Sequence, residues 1–461
     1  VVKRQDIEPC GPIAHFTGLR DTLMSLGKGR TTAYALTELT LSRAESSKKD
    51  FNAFSVIDWD CALKAAMESD RRYAAGQQRP LEGLPVAVKD LIDTRGIETR
   101  YGSLAYMGHV PDADADVVKA LVDKGAIIVG KTTTHEFAWG VSTSSEAFGD
   151  TLNPLDRRLI PGGSSGGAAA AIAAGVVAGG LGTDTGGSVR IPAALCGVAG
   201  FKPTLGALST RGIFPLAPTL DHPGMLGQGV DDIMVLAEAF DIAIPDSDAW
   251  LSARLGVMAS LPPVQPSPAV SAAFDRAITR LREIFACESV DPADLFDGAY
   301  NAFASIVLTE ASIEHFRRND EARIAKHYSQ ETRQRLDLAK EMAIRDYAAA
   351  QQTRHRLMRR LRATMSTVDY LVLPTCPCLA PALDASSIAI GGWTGTVRQA
   401  LMSYTAPFNL AGFPAISIPL PAASGTLPAA MQIVARPGDD GALLKIALEM
   451  ERLLETVSSV V

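Results

Sequence analysis

Long apolar runs, paired cysteines and an excess of positive charge are all missing from this chain of 461 residues. The uncharged stretch 159 to 183 is rich in Gly, Ser and Ala. That stretch is too weakly apolar and too often broken by glycine to read as a membrane-spanning helix, which needs about 20 predominantly apolar residues. The amino-terminal VVKRQDIEPCGPIAHF holds no apolar segment of a secretory signal. Six cysteines lie scattered at 10, 61, 196, 287, 376 and 378. None has the CxxC spacing of a zinc site, so reduced thiols are expected; the Cys376 and Cys378 pair has no histidine at ligand-like spacing to complete a metal site. A net charge of -7 argues against nucleic acid or an anionic membrane as the main partner.

What is present fits an ordinary soluble enzyme with a cytoplasmic expectation: 47% of the residues are hydrophobic and charge is mixed along the chain. Residues 31–48 and 58–76 have apolar positions at helical spacing and read as an amino-terminal helical cap over 1–80. LEGLPVAVKDLID brings an apolar strand ending at Lys89 and Asp90, and ADVVKALVDKGAIIVGKT reads as a helix stopped at Gly125 followed by a buried strand. This is the alternation of a wound sheet. Residues 159–205 form a glycine-rich heart with an Ala-rich helix at about 168–178 between two loops. Beyond a core of 81–230, helices at 231–241 and 267–287 flank a strand at 254–260. A charged helical tract over about 299–364 reads as a partly exposed layer, too polar to be core and the segment where substrate-specific variation is expected. Strands at 368–375, 414–420 and 428–436 and a closing helix at 440–456 complete 231–461. No repeat or linker divides the chain, so one large α/β/α domain is expected, with a mixed, mostly parallel central sheet covered by helices.

Two glycine-rich segments carry the chemistry. PGGSSGG, 161–167, sets Ser164 and Ser165 between glycine pairs; Gly162, Ser164 and Gly166 also spell G-x-S-x-G. Read alone, it suits a flexible linker, or a nucleophile elbow with His222 of TLDHPG as base. The elbow wants a strand directly before Ser164, and TLNPLDRRLIPGG is loop-like. LGTDTGGSVRIPAA, 181–194, can turn several backbone N–H groups toward one point, for a phosphate or an oxyanion. The lysine of a phosphate-binding loop is absent, which leaves an oxyanion site beside Ser188. Such a serine needs a base, and a lysine serves where burial lowers its pKa. Lys89, ending LPVAVK, stands where a sheet edge presents a side chain to a pocket.

Taken together, Lys89 in PVAVKD, Ser164 and Ser165 in PGGSSGG, and Ser188 in TDTGGSVRIPA resemble the amidase signature family of Ser-Ser-Lys amide hydrolases. The three motifs come in the family's order, Ser164 lies 24 residues before Ser188 as in the family, and the likeness runs on through GKTTTHEFAWG, GFKPT and APFNLAGFPAISIP to cover roughly 30–456. The resemblance implies Ser188 as nucleophile, Lys89 as ultimate base, and Ser164 between them on a cis peptide bond. It implies an oxyanion hole from the N–H groups of Thr185, Gly186, Gly187 and Ser188. Supporting roles fall to Ser165 at the turn, Asp184 holding the glycine loop, and Arg190 tying down loops. Thr133, where the family often has asparagine, and GMLG at 224–227 depart from the pattern.

The implied activity is hydrolysis of a small-molecule carboxamide through an acyl-enzyme on Ser188, an aryl amide or anilide being preferred from aromatics such as Phe137, Trp139, Phe148, Phe214, Trp393 and Tyr404 near strand-following loops. No metal or organic cofactor is implied. The partner is the amide substrate, with neither nucleic acid nor membrane, and a homodimer is in keeping with the family. The alternatives are the glutamine-hydrolysing subunit of a tRNA-dependent amidotransferase, which works with partner subunits, and a ureido-amide hydrolase of the biuret or allophanate type. The absence of an appended carboxy-terminal domain and of an amino-terminal membrane helix argues against some allophanate hydrolases and against membrane-bound fatty-acid amide hydrolases.

Overall fold

The computed structural model describes residues 18–292, 295–423 and 425–455. Its frame is an 11-stranded sheet built from β1 (Phe54–Ile57), β2 (Pro85–Lys89), β3 (Ile127–Thr132), β4 (Gly179–Asp184), β5 (Ala199–Lys202), β6 (His222–Gly227), β7 (Arg254–Val257), β8 (Ala286–Ser289), β9 (Tyr370–Pro374), β12 (Ala415–Pro419) and β13 (Ala430–Val434). The spatial order is β1-β3-β2-β4-β6-β5-β12-β13-β9-β7-β8. A separate hairpin pairs β10 (Ser387–Ile390) with β11 (Trp393–Thr396).

The sheet is mixed as expected, but the parallel majority is corrected. β2 runs parallel to β3 and β4, and β7 to β8 and β9, while the other six neighbouring pairs are antiparallel. Parallel neighbours need a long crossover. The helices Asp116–Asp123, between β2 and β3, and Pro268–Leu281, between β7 and β8, supply two. Alternate residues of a strand face opposite sides: Leu371 and Leu373 enter one core with the helices of the 299–364 tract, and Val372 enters another with the closing helix Asp440–Glu455. The result is a single α/β domain.

Helices begin where the sequence offers caps. Thr32 Oγ1 accepts the Ala35 N–H at 3.0 Å at the head of Ala33–Phe51, and Asp58 Oδ1 accepts the Cys61 N–H at 3.2 Å before Trp59–Ala74. The polar tract divides into Ala299–Arg318, Glu321–His327, Gln330–Lys340 and Ile344–Thr364. Its first helix is not merely an outer layer: Ala302, Phe303, Ile306, Val307 and Ala311 are buried. The charge of the rest of the tract masks this apolar stripe in a composition average, and on this helix Glu310 and Glu314 are themselves buried. β4 (GGLGTD) and β6 (HPGMLG) were not legible as strands, and His222, the alternative base of TLDHPG, lies on β6. Glycine leaves no alternating pattern, and it is needed there because neighbouring backbone packs directly on the strand: a side chain at Gly180 would meet the Ala87 carbonyl, and one at Gly224 the Phe201 carbonyl. Among the described residues no helix is long and apolar enough to cross a membrane, and no His, Cys, Asp and Glu cluster could hold a metal.

Candidate active site

β2 lies between β3 and β4 in the sheet, all five of its residues are buried, and its last side chain, Lys89, is fully so. Lys89 Nζ donates to Ser164 Oγ at 2.7 Å, Thr183 Oγ1 at 2.8 Å and Ser165 Oγ at 3.0 Å. Burial pushes its pKa down to about 7, against the opposing pull of the Asp184 and Asp221 carboxylates. The Gly163–Ser164 peptide is cis. Ser165 braces this turn: its hydroxyl donates to the Thr183 carbonyl at 3.2 Å, and its N–H donates to the Ser188 carbonyl at 3.1 Å. That last bond draws the two glycine-rich segments together. Among the described residues the Ser188 hydroxyl itself makes no hydrogen bond. Such contacts are often loose before substrate arrives.

Asp184 ends β4 and organises the loop that follows. Its carboxylate accepts N–H groups of Gly187 at 2.8 Å and Val189 at 3.2 Å, and the Arg190 side chain from Nε at 3.0 Å and Nη2 at 2.9 Å. Arg190 also donates to the Thr405 carbonyl at 3.1 Å, Asn409 Oδ1 at 2.6 Å and Gln432 Oε1 at 2.5 Å. Both charges are wholly buried. Burial alone would raise the Asp184 pKa, but Arg190, with Lys202 and Asn409, holds it well below the usual carboxylate range. These bonds tie both residues to the loop.

One expected oxyanion donor is corrected. The Gly187 N–H is taken by Asp184, so three of the four anticipated groups, those of Thr185, Gly186 and Ser188, remain without a partner among the described residues. Gly187 has φ 126°, and a side chain there would run into Thr405 and Ile191. A side chain at Gly186 would meet the Phe303 ring and the Met402 methyl, so those two apolar groups wall the space beside the loop.

Lys131 and Lys202 are as fully buried as Lys89. Lys131 donates to the Ile92 carbonyl as well as Thr94 Oγ1, and Lys202 to the carbonyls of Pro203 and Phe413. A carbonyl can only accept, so it favours the charged ammonium, whereas a hydroxyl can also donate to a neutral amine. Only Lys89 of the three has hydroxyls alone as partners. His222, the alternative base, sits opposite Asp184 on β6 with Nδ1 2.7 Å from the Leu220 carbonyl. Burial, then the Lys202 charge, holds it well below the ordinary imidazole range, and it makes no contact with Ser164 or Ser188. Thr183, Thr405, Asn409 and Gln432 escaped the sequence reading. Asn409 stands in the APFNLAG segment, but nothing in that motif reveals a partner more than 200 residues upstream.

A buried lysine joined to paired hydroxyls thus lies beside a loop with N–H groups unpaired among the described residues. The chain belongs to the Amidase family, whose model matches residues 35–444, and the family's members are hydrolases of amide C–N bonds. It is 34% identical over 480 aligned residues to a glutamyl-tRNA(Gln) amidotransferase subunit of Chloroflexus aurantiacus, covering 94% of this chain and 95% of that protein. A crystal structure of an amidase superposes with a TM-score of 0.88 at 33% identity, over 95% of this chain and all of the other. The corresponding glutamyl-tRNA(Gln) amidotransferase subunit of Thermotoga maritima superposes with a TM-score of 0.75 at 29% identity, over 90% of each chain.

Proposed function

We propose that this protein hydrolyses a carboxamide through an acyl-enzyme on Ser188, with Lys89 as base and Ser164 as relay. The observation that carries the reading is the set of three hydroxyl partners around a buried lysine whose pKa is lowered to about 7. Neutral Lys89 takes the Ser164 proton as Ser164 takes that of Ser188. The Ser188 oxygen then attacks the amide carbonyl, and the N–H groups of Gly186, Ser188 and Thr185 receive the oxyanion. Collapse breaks the C–N bond, the relay returns the proton to the leaving nitrogen, and water cleaves the ester to free the carboxylate.

Two readings of the amide have support. The walls formed by Phe303 and Met402 suit a small free amide with an apolar portion, and the higher TM-score to an amidase points the same way. The relatives by sequence favour the other more heavily: an amidotransferase subunit that releases ammonia from glutamine for partner subunits. Assaying the isolated chain against aryl, anilide, aliphatic and ureido amides and against glutamine separates them. Turnover of a simple amide, abolished in Ser188→Ala and Lys89→Ala, supports the free amidase. Activity confined to glutamine and dependent on partner subunits supports the second. Full activity of either variant on any amide overturns the mechanism.

A further inference from the structure

Phe303 and Met402 each continue outward along a helix. Tyr300 lies one turn before Phe303 on Ala299–Arg318, its ring 6.4 Å from that of Phe303. Arg398 lies about one turn before Met402 on Val397–Met402. A helical turn advances about 5.4 Å, so this second tier stands roughly that far from the groups that touch the Gly186 loop. A third element, Gln330–Lys340, brings Arg335 to it; the Arg335 guanidinium lies 5.8 Å from the centre of the Trp139 ring, and its side chain is only 12% exposed.

This tier has donors without acceptors. Arg335 Nη1, Arg398 Nε and Trp139 Nε1 are buried and unpartnered among the described residues. The nearest carboxylate, Glu331, is shared between Arg335 and the His135 imidazole, the latter at 3.0 Å. Glu136 adds a further negative charge, but its carboxylate is taken up by Ser329 and Thr332. Burial, and then the Arg398 charge, disfavour the charged form of Arg335, yet a guanidinium keeps its proton in proteins. Buried donors on paired cations call for an anion that accepts only, and a carboxylate does so with matching planar geometry.

We propose that Arg335 and Arg398 form a carboxylate subsite at the far end of the substrate pocket, and that the substrate is an amide bearing a carboxylate but no ammonium group, such as the monoamide of a dicarboxylic acid. This rests on Ser188 as nucleophile. The apolar groups between Ser188 and the arginines hold the connecting carbons, and among the described residues of this tier no carboxylate is left over to pair with the ammonium of glutamine.

The test compares glutaramate, the monoamide of pentanedioic acid, with uncharged pentanamide and with glutamine. Wild type is expected to prefer glutaramate over pentanamide by about a hundredfold in kcat/KM, since hydrogen bonds between ionised partners are the strong ones, and to prefer it over glutamine. In Arg335→Gln and in Arg398→Gln the glutaramate-to-pentanamide ratio should fall at least tenfold. A ratio taken within one preparation is insensitive to partial misfolding. Calorimetry on Ser188→Ala gives a readout independent of turnover: glutarate should bind more tightly than inorganic phosphate, and the added Arg335→Gln change should abolish binding. Equal use of glutaramate and pentanamide overturns the subsite while leaving Ser188 in place. A preference for glutamine overturns the exclusion of ammonium, and equal affinity for phosphate overturns the carboxylate assignment. Glutarate binding without cleavage of any amide upholds the subsite and overturns the reaction.

Discussion

Lys89 Nζ lies 2.7 Å from Ser164 Oγ, and every other partner of that ammonium is also a hydroxyl. The contact fixes the pH dependence of the proposed reaction. Lys89 must be neutral to accept a proton, and with burial placing its pKa at about 7 it is charged and idle below that value and competent above it. The acylation rate should therefore climb as pH rises through about 7 and level off beyond it. Lys89→Arg should be inactive at every pH, because a guanidinium does not surrender its proton. A profile flat from about pH 6 to 8 contradicts this assignment.

Asp184 and Arg190 are a completely buried pair, and breaking such a pair leaves one charge uncompensated at a cost of about 3–5 kcal/mol. Asp184→Asn should lower the free energy of unfolding by that order in a denaturant titration and cut activity, since Asn keeps one acceptor oxygen where Asp184 uses two, one for the Gly187 N–H and one for the Val189 N–H. Because the folded carboxyl has a depressed pKa, its stabilisation is complete above about pH 4, the unfolded value. It is lost only as pH falls toward the folded value. Arg190→Lys should not substitute, as one ammonium cannot span Asp184, Asn409, Gln432 and Thr405.

These two residues also mark how much was legible. Lys89, Ser164 and Ser188 were legible as candidates, because hydroxyls amid glycines and a lysine closing an apolar strand are local signals, and their proposed roles came from the family resemblance. The anchors of Arg190 were not legible, since Asn409 and Gln432 lie 219 and 242 residues away in sequence and meet it only through the β5–β12–β13 order of the sheet. Nor could sequence show that Asp184 occupies the Gly187 N–H, because a run of glycines does not say which amide points inward. The glycine strands β4 and β6 failed for a related reason: their pattern reflects close backbone approach rather than alternating burial.

Gly187→Ala should abolish activity with only modest loss of stability. At φ 126° an added methyl is strained and strikes Thr405 and Ile191, so the loop that presents the Ser188 and Gly186 N–H groups must shift. Thermal denaturation alongside turnover checks this; unfolding as complete as the activity loss contradicts it.

His222→Ala should keep most of its activity. The imidazole is neutral and takes no part in the Lys89 network, so the change costs about 1–3 kcal/mol of stability from the Leu220 carbonyl left unpaired. Lys131→Met, at the other buried lysine near β2, should likewise leave the shape of the pH profile unchanged whatever it does to stability. A profile that moves with Lys131 would shift the base away from Lys89.

The most direct test is labelling with a fluorophosphonate, which reports serine activation without knowledge of the natural amide. The serine oxygen bonds to phosphorus as fluoride leaves, and peptide mapping locates the adduct. The account predicts modification of Ser188, at a rate that rises through pH about 7, is lost in Lys89→Ala and persists in His222→Ala. An adduct on Ser164, or labelling that survives Lys89→Ala but not His222→Ala, contradicts it.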